Sequence, residues 1–132
     1  MFENLNVFKM AHAMAVHAGQ RQAVAAENVA NADTPEFKAR DIAPFAETYE
    51  QNGFSSTTFA LKATRGNHLN GGFAQQGAEP FNDPNGISSP NGNTVSLENE
   101  MLKSLNAKRQ HDRALAIYRS SMNVLRATLS RS

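Results

Sequence analysis

At 132 residues with 40% hydrophobic content, the chain has material for one domain and little for a large independent core. Thirteen Lys and Arg against twelve Asp and Glu leave a formal charge of +1, which calls for neither nucleic acid nor an anionic membrane. With no cysteine, disulfides, thiolate metal sites and thiol catalysis are excluded.

The opening Met1-Phe2-Glu3-Asn4-Leu5 lacks a basic run leading into an apolar one, and no stretch approaches the ~20 apolar residues of a membrane span. Neither a cleaved secretion signal nor a membrane anchor is expected. From Phe2 to Ala32 there is no proline, one glycine (Gly19) and many alanines, which predicts one long helix. Leu5, Phe8, His12, Ala15, Val16, Gly19, Ala23, Ala26 and Ala30 share one side of it, and Val7, Met10, Met14 and Val24 the other. A helix that is small or apolar nearly all round is expected to be surrounded by protein. Alanines at 11, 15, 18, 25 and 26 let neighbouring backbones come close.

Residues 28–41, Asn28-Val29-Ala30-Asn31-Ala32-Asp33-Thr34-Pro35-Glu36-Phe37-Lys38-Ala39-Arg40-Asp41, read as a helix exit. Asn31 tolerates a left-handed cap, Asp33 and Thr34 make side-chain turns, and Pro35 forbids continuation of the helix. Residues 33–93 then hold all five prolines and most glycines, so long helices are excluded there. Phe54 to Leu61 can form a short strand, and Gly71 to Asn93 is read as a turn-rich, partly flexible loop.

The last segment opens at Ser96, an N-cap residue. Glu98 and Glu100 follow, whose charges suit a first turn. It runs to the C-terminus without Gly or Pro. Leu97, Met101, Leu105, Leu115, Tyr118, Met122, Leu125 and Leu129 form its main apolar stripe, with Leu102, Ile117 and Val124 roughly opposite. The expected fold is all-α: two long terminal helices packed as an antiparallel, coiled-coil-like hairpin, with residues 1–32 and 94–132 as the packing domain. An irregular region, 33–93, able to form short β-strands, joins them. One helix pair cannot bury two apolar faces on each member, so other chains are expected to cover the remainder.

The run from Asn28 to Asp41 resembles the Asn-Ile-Ala-Asn-Ala-Asp-Thr-Pro-Gly-Tyr-Lys-Ala-Arg-Asp signature of the flagellar rod and hook protein family, in its proximal-rod branch. Asn28, Asn31, Asp33, Thr34, Pro35, Phe37, Lys38 and Arg40 carry the motif. Glu36 stands where the signature has Gly, which implies a turn without positive φ at that site, and Phe37 stands where it has Tyr. Thr64, His68-Leu69 and the Val95–Met101 run are also similar to the family. The resemblance implies a structural subunit of the basal-body rod in the periplasm, exported without a cleaved signal through the flagellar type III apparatus. Its implied partners are copies of itself, FlgC-like rod neighbours, the adaptor FliE and export-gate proteins. It implies no catalytic residue and no cofactor. The assembly interface is then expected on Leu5, Phe8, Ala15 and Ala26 of the first helix and on Met101, Leu105, Leu115, Tyr118, Met122, Leu125 and Leu129 of the last. A FlgC-like rod subunit or a generic coiled-coil adaptor is the alternative reading.

Other chemistry finds little support in the residues. His12 and His17 diverge by ~140° on a helix, unlike an i, i+4 ligand pair. Asp33 and Glu36 have no companion nucleophile. The basic residues of the last helix, Lys103, Lys108, Arg109, Arg113, Arg119, Arg126 and Arg131, do not share one face, so no nucleic-acid surface is expected.

Overall fold

The computed structural model describes residues 2–51 and 78–130, with side-chain surroundings for 6–49 and 78–130. The Phe54–Leu61 strand, the Thr64 and His68-Leu69 run, the Gly71-Gly72 turn and the Leu5 side chain lie outside the described residues. Helix α1 spans Phe2–Ala30 and ends where the Asn31–Pro35 exit begins. A two-residue strand β1 (Arg40–Asp41) and a short helix α2 (Phe45–Gln51) follow; then come β2 (Phe81–Asn82) and the long helix α3 (Leu97–Leu129). At ~1.5 Å per residue, α1 and α3 measure roughly 44 and 50 Å.

The two long helices run antiparallel, as expected from sequence. Asn28 meets Glu100, Gln22 meets Ser104, His17 meets Gln110 and Phe8 meets Tyr118, so numbers fall along α1 as they rise along α3. What closes the seam differs from the expected stripes. Ala11, Ala18 and Ala25 are buried from α1, and Ala107 and Ala114 from α3, each series stepping by seven residues. A seven-residue step is the coiled-coil period, and alanine at the contact brings the two backbones close. The heavier residues of α3 therefore stay outside. Leu97, Leu102, Leu105, Tyr118 and Val124 are exposed, and Met101 and Leu129 are 70% and 73% exposed.

Two expectations for the start of α3 are met, with details the residues alone did not give. Ser96 occupies the N-cap of α3 with an extended backbone, but its hydroxyl makes no capping bond. Glu98 and Glu100 lie in the first turn as expected, and Glu100 is 2% exposed and faces α1. Strands β1 and β2 pair antiparallel, with Arg40 opposite Asn82 and Asp41 opposite Phe81. This small ladder holds the returning chain beside the exit of α1. No described helix is long and apolar enough to cross a membrane.

Candidate functional site

The densest polar network lies where α1 ends, β1 passes and α3 begins. Asn28, in the last turn of α1, is fully buried at 0% exposure. Its Oδ1 accepts from the Arg40 backbone N–H at 3.0 Å, and its Nδ2 donates to the Arg40 carbonyl at 2.7 Å. The side-chain amide thus pairs with a backbone amide as a neighbouring strand would. The second Nδ2 hydrogen reaches Glu100 Oε2 at 3.0 Å.

Glu100 Oε1 accepts from Lys103 Nζ at 3.2 Å, one turn further along α3. The same ammonium lies 3.1 Å from Asp41 in β1 and 2.8 Å from Asp83 just after β2. One cation therefore joins α3, β1 and the segment just after β2. Burial opposes the charge on Lys103, but the hydrogen bonds it donates to Asp83, Asp41 and Glu100, with the charge of Asp41, outweigh it and push the pKa upward. The Lys103 hydrogen bond correspondingly holds the Asp83 carboxyl below its ordinary 3.8, against the opposing effect of burial. Lys103, counted from sequence among basic surface residues, is consumed inside the protein.

Asn93 closes the exit of α1. The last carbonyls of a helix lack partners within it. Here Asn93 Nδ2 donates to the carbonyls of Asn31, Ala32 and Thr34 at 2.9, 2.9 and 2.7 Å, while its Oδ1 accepts from the Val95 N–H at 2.7 Å. Asn31 is not the left-handed cap expected from sequence. It keeps helical bonds to Glu27 and Asn28, and its Nδ2 donates to the Glu27 carbonyl at 2.8 Å.

Glu36 is the one non-glycine described residue with positive φ, at 60°. The expectation that Glu36 marks a turn without positive φ is overturned. The signature's glycine position keeps its left-handed backbone here, and glutamate bears the strain. The Glu36 N–H donates to the Asn91 carbonyl at 3.0 Å, which fixes the peptide against the second loop. Opposite it, Gly92 has φ 80°, and a Cβ there would stand 3.3 Å from Glu36 Cγ. A left-handed non-glycine residue costs ~1–2 kcal/mol, and a glycine adds ~0.5–1 kcal/mol of unfolded-state freedom. Glu36→Gly is therefore expected to stabilise the chain by about 0.5–1 kcal/mol, read as a higher urea midpoint at unchanged m-value. A lower midpoint would mean that contacts of the Glu36 side chain outweigh the backbone strain.

The clasp continues through residues 37–41 and 81–94. Lys38 Nζ donates to the Gly92 carbonyl at 3.0 Å, Thr94 N–H to the Phe37 carbonyl at 3.1 Å, and Ala39 N–H to Thr94 Oγ1 at 2.8 Å. The described part of the turn-rich loop is thus fastened to the helix exit. Arg40 also reaches Glu27 at 3.4 Å across a largely solvated gap. Thr34 Oγ1 donates to Asn31 Oδ1 at 3.3 Å. Asp33, Thr34, Pro35 and Lys38 are exposed, while Asn31, Phe37 and Arg40 are half-buried.

The second candidate surface is the outer face of the hairpin. Ala26, Met101, Leu105, Leu115 and Leu129 are exposed, and Ala15, Met122 and Leu125 are half-buried. Phe8 and Tyr118 contact each other edge-on, with ring centroids 5.1 Å apart. Next to the clasp, Ala25, Ala26, Val29, Met101 and Leu105 line an open groove of about 440 Å³, where Gln22 Nε2 donates to Ser104 Oγ at 2.6 Å. Sequence reasoning picked Asn28 and Arg40 from the exit motif. It missed Asn93, Glu100, Lys103, Asp41 and Asp83 as one constellation. The detectable signal was the Glu100/Lys103 pair, three residues apart on one helix face.

The family model described as "Flagella basal body rod protein" matches residues 17–38, from the buried His17 of α1 through the exit turn. The chain is 30% identical to the "Flagellar basal body rod protein FlgB" of Agrobacterium fabrum (strain C58) over 131 residues, covering 96% of this chain and 95% of that one. It is 31% identical to the protein of that name from Aeromonas hydrophila over 113 residues, covering 80% and 79%. With the one from Yersinia enterocolitica it shares 36% identity over 86 residues, covering 61% and 62%. An alanine-seamed helical hairpin whose exit motif carries the family's match, together with near full-length similarity to the Agrobacterium protein, places the chain in the FlgB family of flagellar basal body rod proteins.

Proposed function

We propose that the chain is a structural subunit of the proximal rod, assembling across the periplasm through α1 and α3 into a helical array, and that it performs no catalysis. The observation that carries this reading is the mismatch between seam and surface. The α1–α3 seam is closed largely by alanines, and large apolar residues of α3 stay exposed at intervals from Leu97 to Leu129, while Ile117, Met122 and Leu125 are half-buried. An apolar stripe of that length is unusual on a monomer and fits burial against further helices.

On this reading the neighbours are other copies of the chain, FlgC-like rod subunits, the FliE adaptor and the export-gate proteins at the base of the rod. The clasp at the exit of α1 holds residues 36–41 and 81–94 against the helical pair. On the same reading the chain is exported through the flagellar type III apparatus.

The test separates folding from assembly. Leu115 is 37% exposed and Ala26 is also exposed, so Leu115→Asp and Ala26→Asp are expected to change monomer stability by no more than ~0.5–1 kcal/mol. In the assembled rod each would bury an unpaired carboxylate, so both variants are expected to abolish motility and to be missing from purified basal bodies by mass spectrometry. Normal swimming by both, with the chain retained in the particles, would refute the interface. Absence of the wild-type chain from otherwise complete basal bodies would refute the rod reading itself.

A further inference from the structure

The formal charge of +1 conceals a separation of charge along the hairpin. Residues 27–51 and 78–103, which make up the clasp end, hold ten acidic residues and three basic ones. Residues 1–26 and 104–132, the distal part of the helical pair, hold eight basic and two acidic. All three bases of the clasp end are already engaged: Arg40 pairs with Glu27, Lys38 binds the Gly92 carbonyl, and Lys103 sits among three carboxylates. Asp33, Glu36, Glu47, Glu79 and Glu98 are exposed and enter no ion pair among the described residues.

Distal α3 shows the reverse. Lys108, Arg119 and Arg126 are exposed and, with exposed Leu115, follow one line down the helix, within ~40° of one another at ~3.6 residues per turn. None of these three cations has an ion-pair partner among the described residues. Asp112 is the single acid of residues 104–132, and Lys108, Arg109 and Arg113 lie within four positions of it. Arg119 and Arg126 stand ~29 and ~39 Å along α3 from Glu100, several screening lengths at physiological salt. The two ends therefore do not neutralise each other within one chain.

We propose that the stripe of Lys108, Leu115, Arg119 and Arg126 is a docking surface for the acidic clasp end of a second copy of this chain. Charge complementarity selects this occupant, because each surface lacks a counter-charge in its own chain and finds one on the other. The acidic end is held ready: Asn93 fixes the carbonyls on both sides of Asp33, and the Asn91 carbonyl holds the Glu36 N–H. Docking then costs little ordering. Because unlike faces meet, the contact does not close on itself, and a docked pair keeps one free end of each sign for further copies. An anionic lipid surface would suit the stripe but leaves the acidic end without a counterpart. The proposal rests on the reading of the chain as an assembling subunit and adds an orientation to it, clasp end onto distal α3.

The test is sedimentation velocity of the full chain at about 20 and about 500 mM salt. The wild type is expected to associate at low salt, with its dissociation constant raised roughly tenfold or more at high salt. Arg119→Glu with Arg126→Glu reverses one end, and Asp33→Lys with Glu98→Lys reverses the other. Each double variant, checked for folding by circular dichroism, is expected to be monomeric alone, and an equimolar mixture of the two to associate again. A wild type that stays monomeric at low salt, or a mixture of folded variants that fails to associate, would overturn the proposal. Association that survives high salt or both reversals would also overturn it, leaving the apolar outer face as the contact. Binding of the wild type to phosphatidylserine-containing vesicles in place of self-association would assign the stripe to a membrane instead. Should a reversal fail to fold, Arg119→Gln with Arg126→Gln decides: weaker association supports the docking, and unchanged association refutes it. Absence of the chain from basal bodies bears on the rod reading and leaves this contact standing.

Discussion

Asn28→Ala is expected to destabilise the isolated chain by about 3–5 kcal/mol. The side chain makes three hydrogen bonds in a site with no access to water, two to the Arg40 backbone and one to Glu100. Truncation leaves an N–H, a carbonyl and a carboxylate oxygen short of a partner, and each buried orphan costs ~1–3 kcal/mol. Urea unfolding followed by circular dichroism measures the loss. Asn28→Asp provides the contrast: it keeps the acceptor for the Arg40 N–H but sets a second carboxylate beside Glu100, so it is expected to be no better than alanine at neutral pH and to recover part of the loss in mild acid. An Asn28→Ala loss below ~1 kcal/mol would mean that water or a local shift repairs the site.

Lys103→Met carries the second large effect, about 2–4 kcal/mol, through a different cause. The methionine keeps the apolar stem but leaves Asp41, Asp83 and Glu100 facing one another without the ammonium that holds them. Breaking a buried pair at one end is costlier than never having built it. Two of the three carboxylates keep some solvent, so the loss is placed below that of a sealed ion pair. The pH dependence also changes. In the wild type Asp83 is held below 3.8, so its contribution is present above that pH and lost as acid takes it through the depressed value. In Lys103→Met the three carboxylates face one another without a cation, so acid is expected to relieve their repulsion instead of removing a stabilising pair. Lys103→Met combined with Asp83→Asn should lose less than Lys103→Met alone; an equal loss would show that Asp83 is not part of the network.

Much of the architecture was legible before any coordinates. Thirty residues without proline, then a proline-rich interval, then a Gly- and Pro-free run mark two long helices and a connection, and the hairpin follows from their apolar content. The Asn28–Pro35 exit was legible because proline and the Asn/Asp/Thr cluster act through local sterics. Two things were hidden. The first was the seam: on a helix that is small or apolar all round, a wheel ranks Leu and Met above Ala, whereas here alanine is buried and leucine is not. The second was the polar clasp, because Asn28, Asp41, Asp83, Asn93 and Glu100 are joined only by tertiary folding. Glu36 also misled, since a non-glycine side chain argues against positive φ unless long-range contacts, here with Asn91 and Gly92, impose it.

The alanine seam leaves one matter to the polar contacts. Because Ala11, Ala18 and Ala25 recur with the same period as Ala107 and Ala114, sliding one helix past the other by a heptad sets alanine against alanine again, as on a ruler with identical marks. Small side chains offer little to tell one setting from the next. Asn28 with Glu100, His17 with Gln110 and Phe8 with Tyr118 occur once each, and they single out one alignment. Weakening all three would leave a hairpin that stays helical while losing its place, with its two ends offset by ~10 Å.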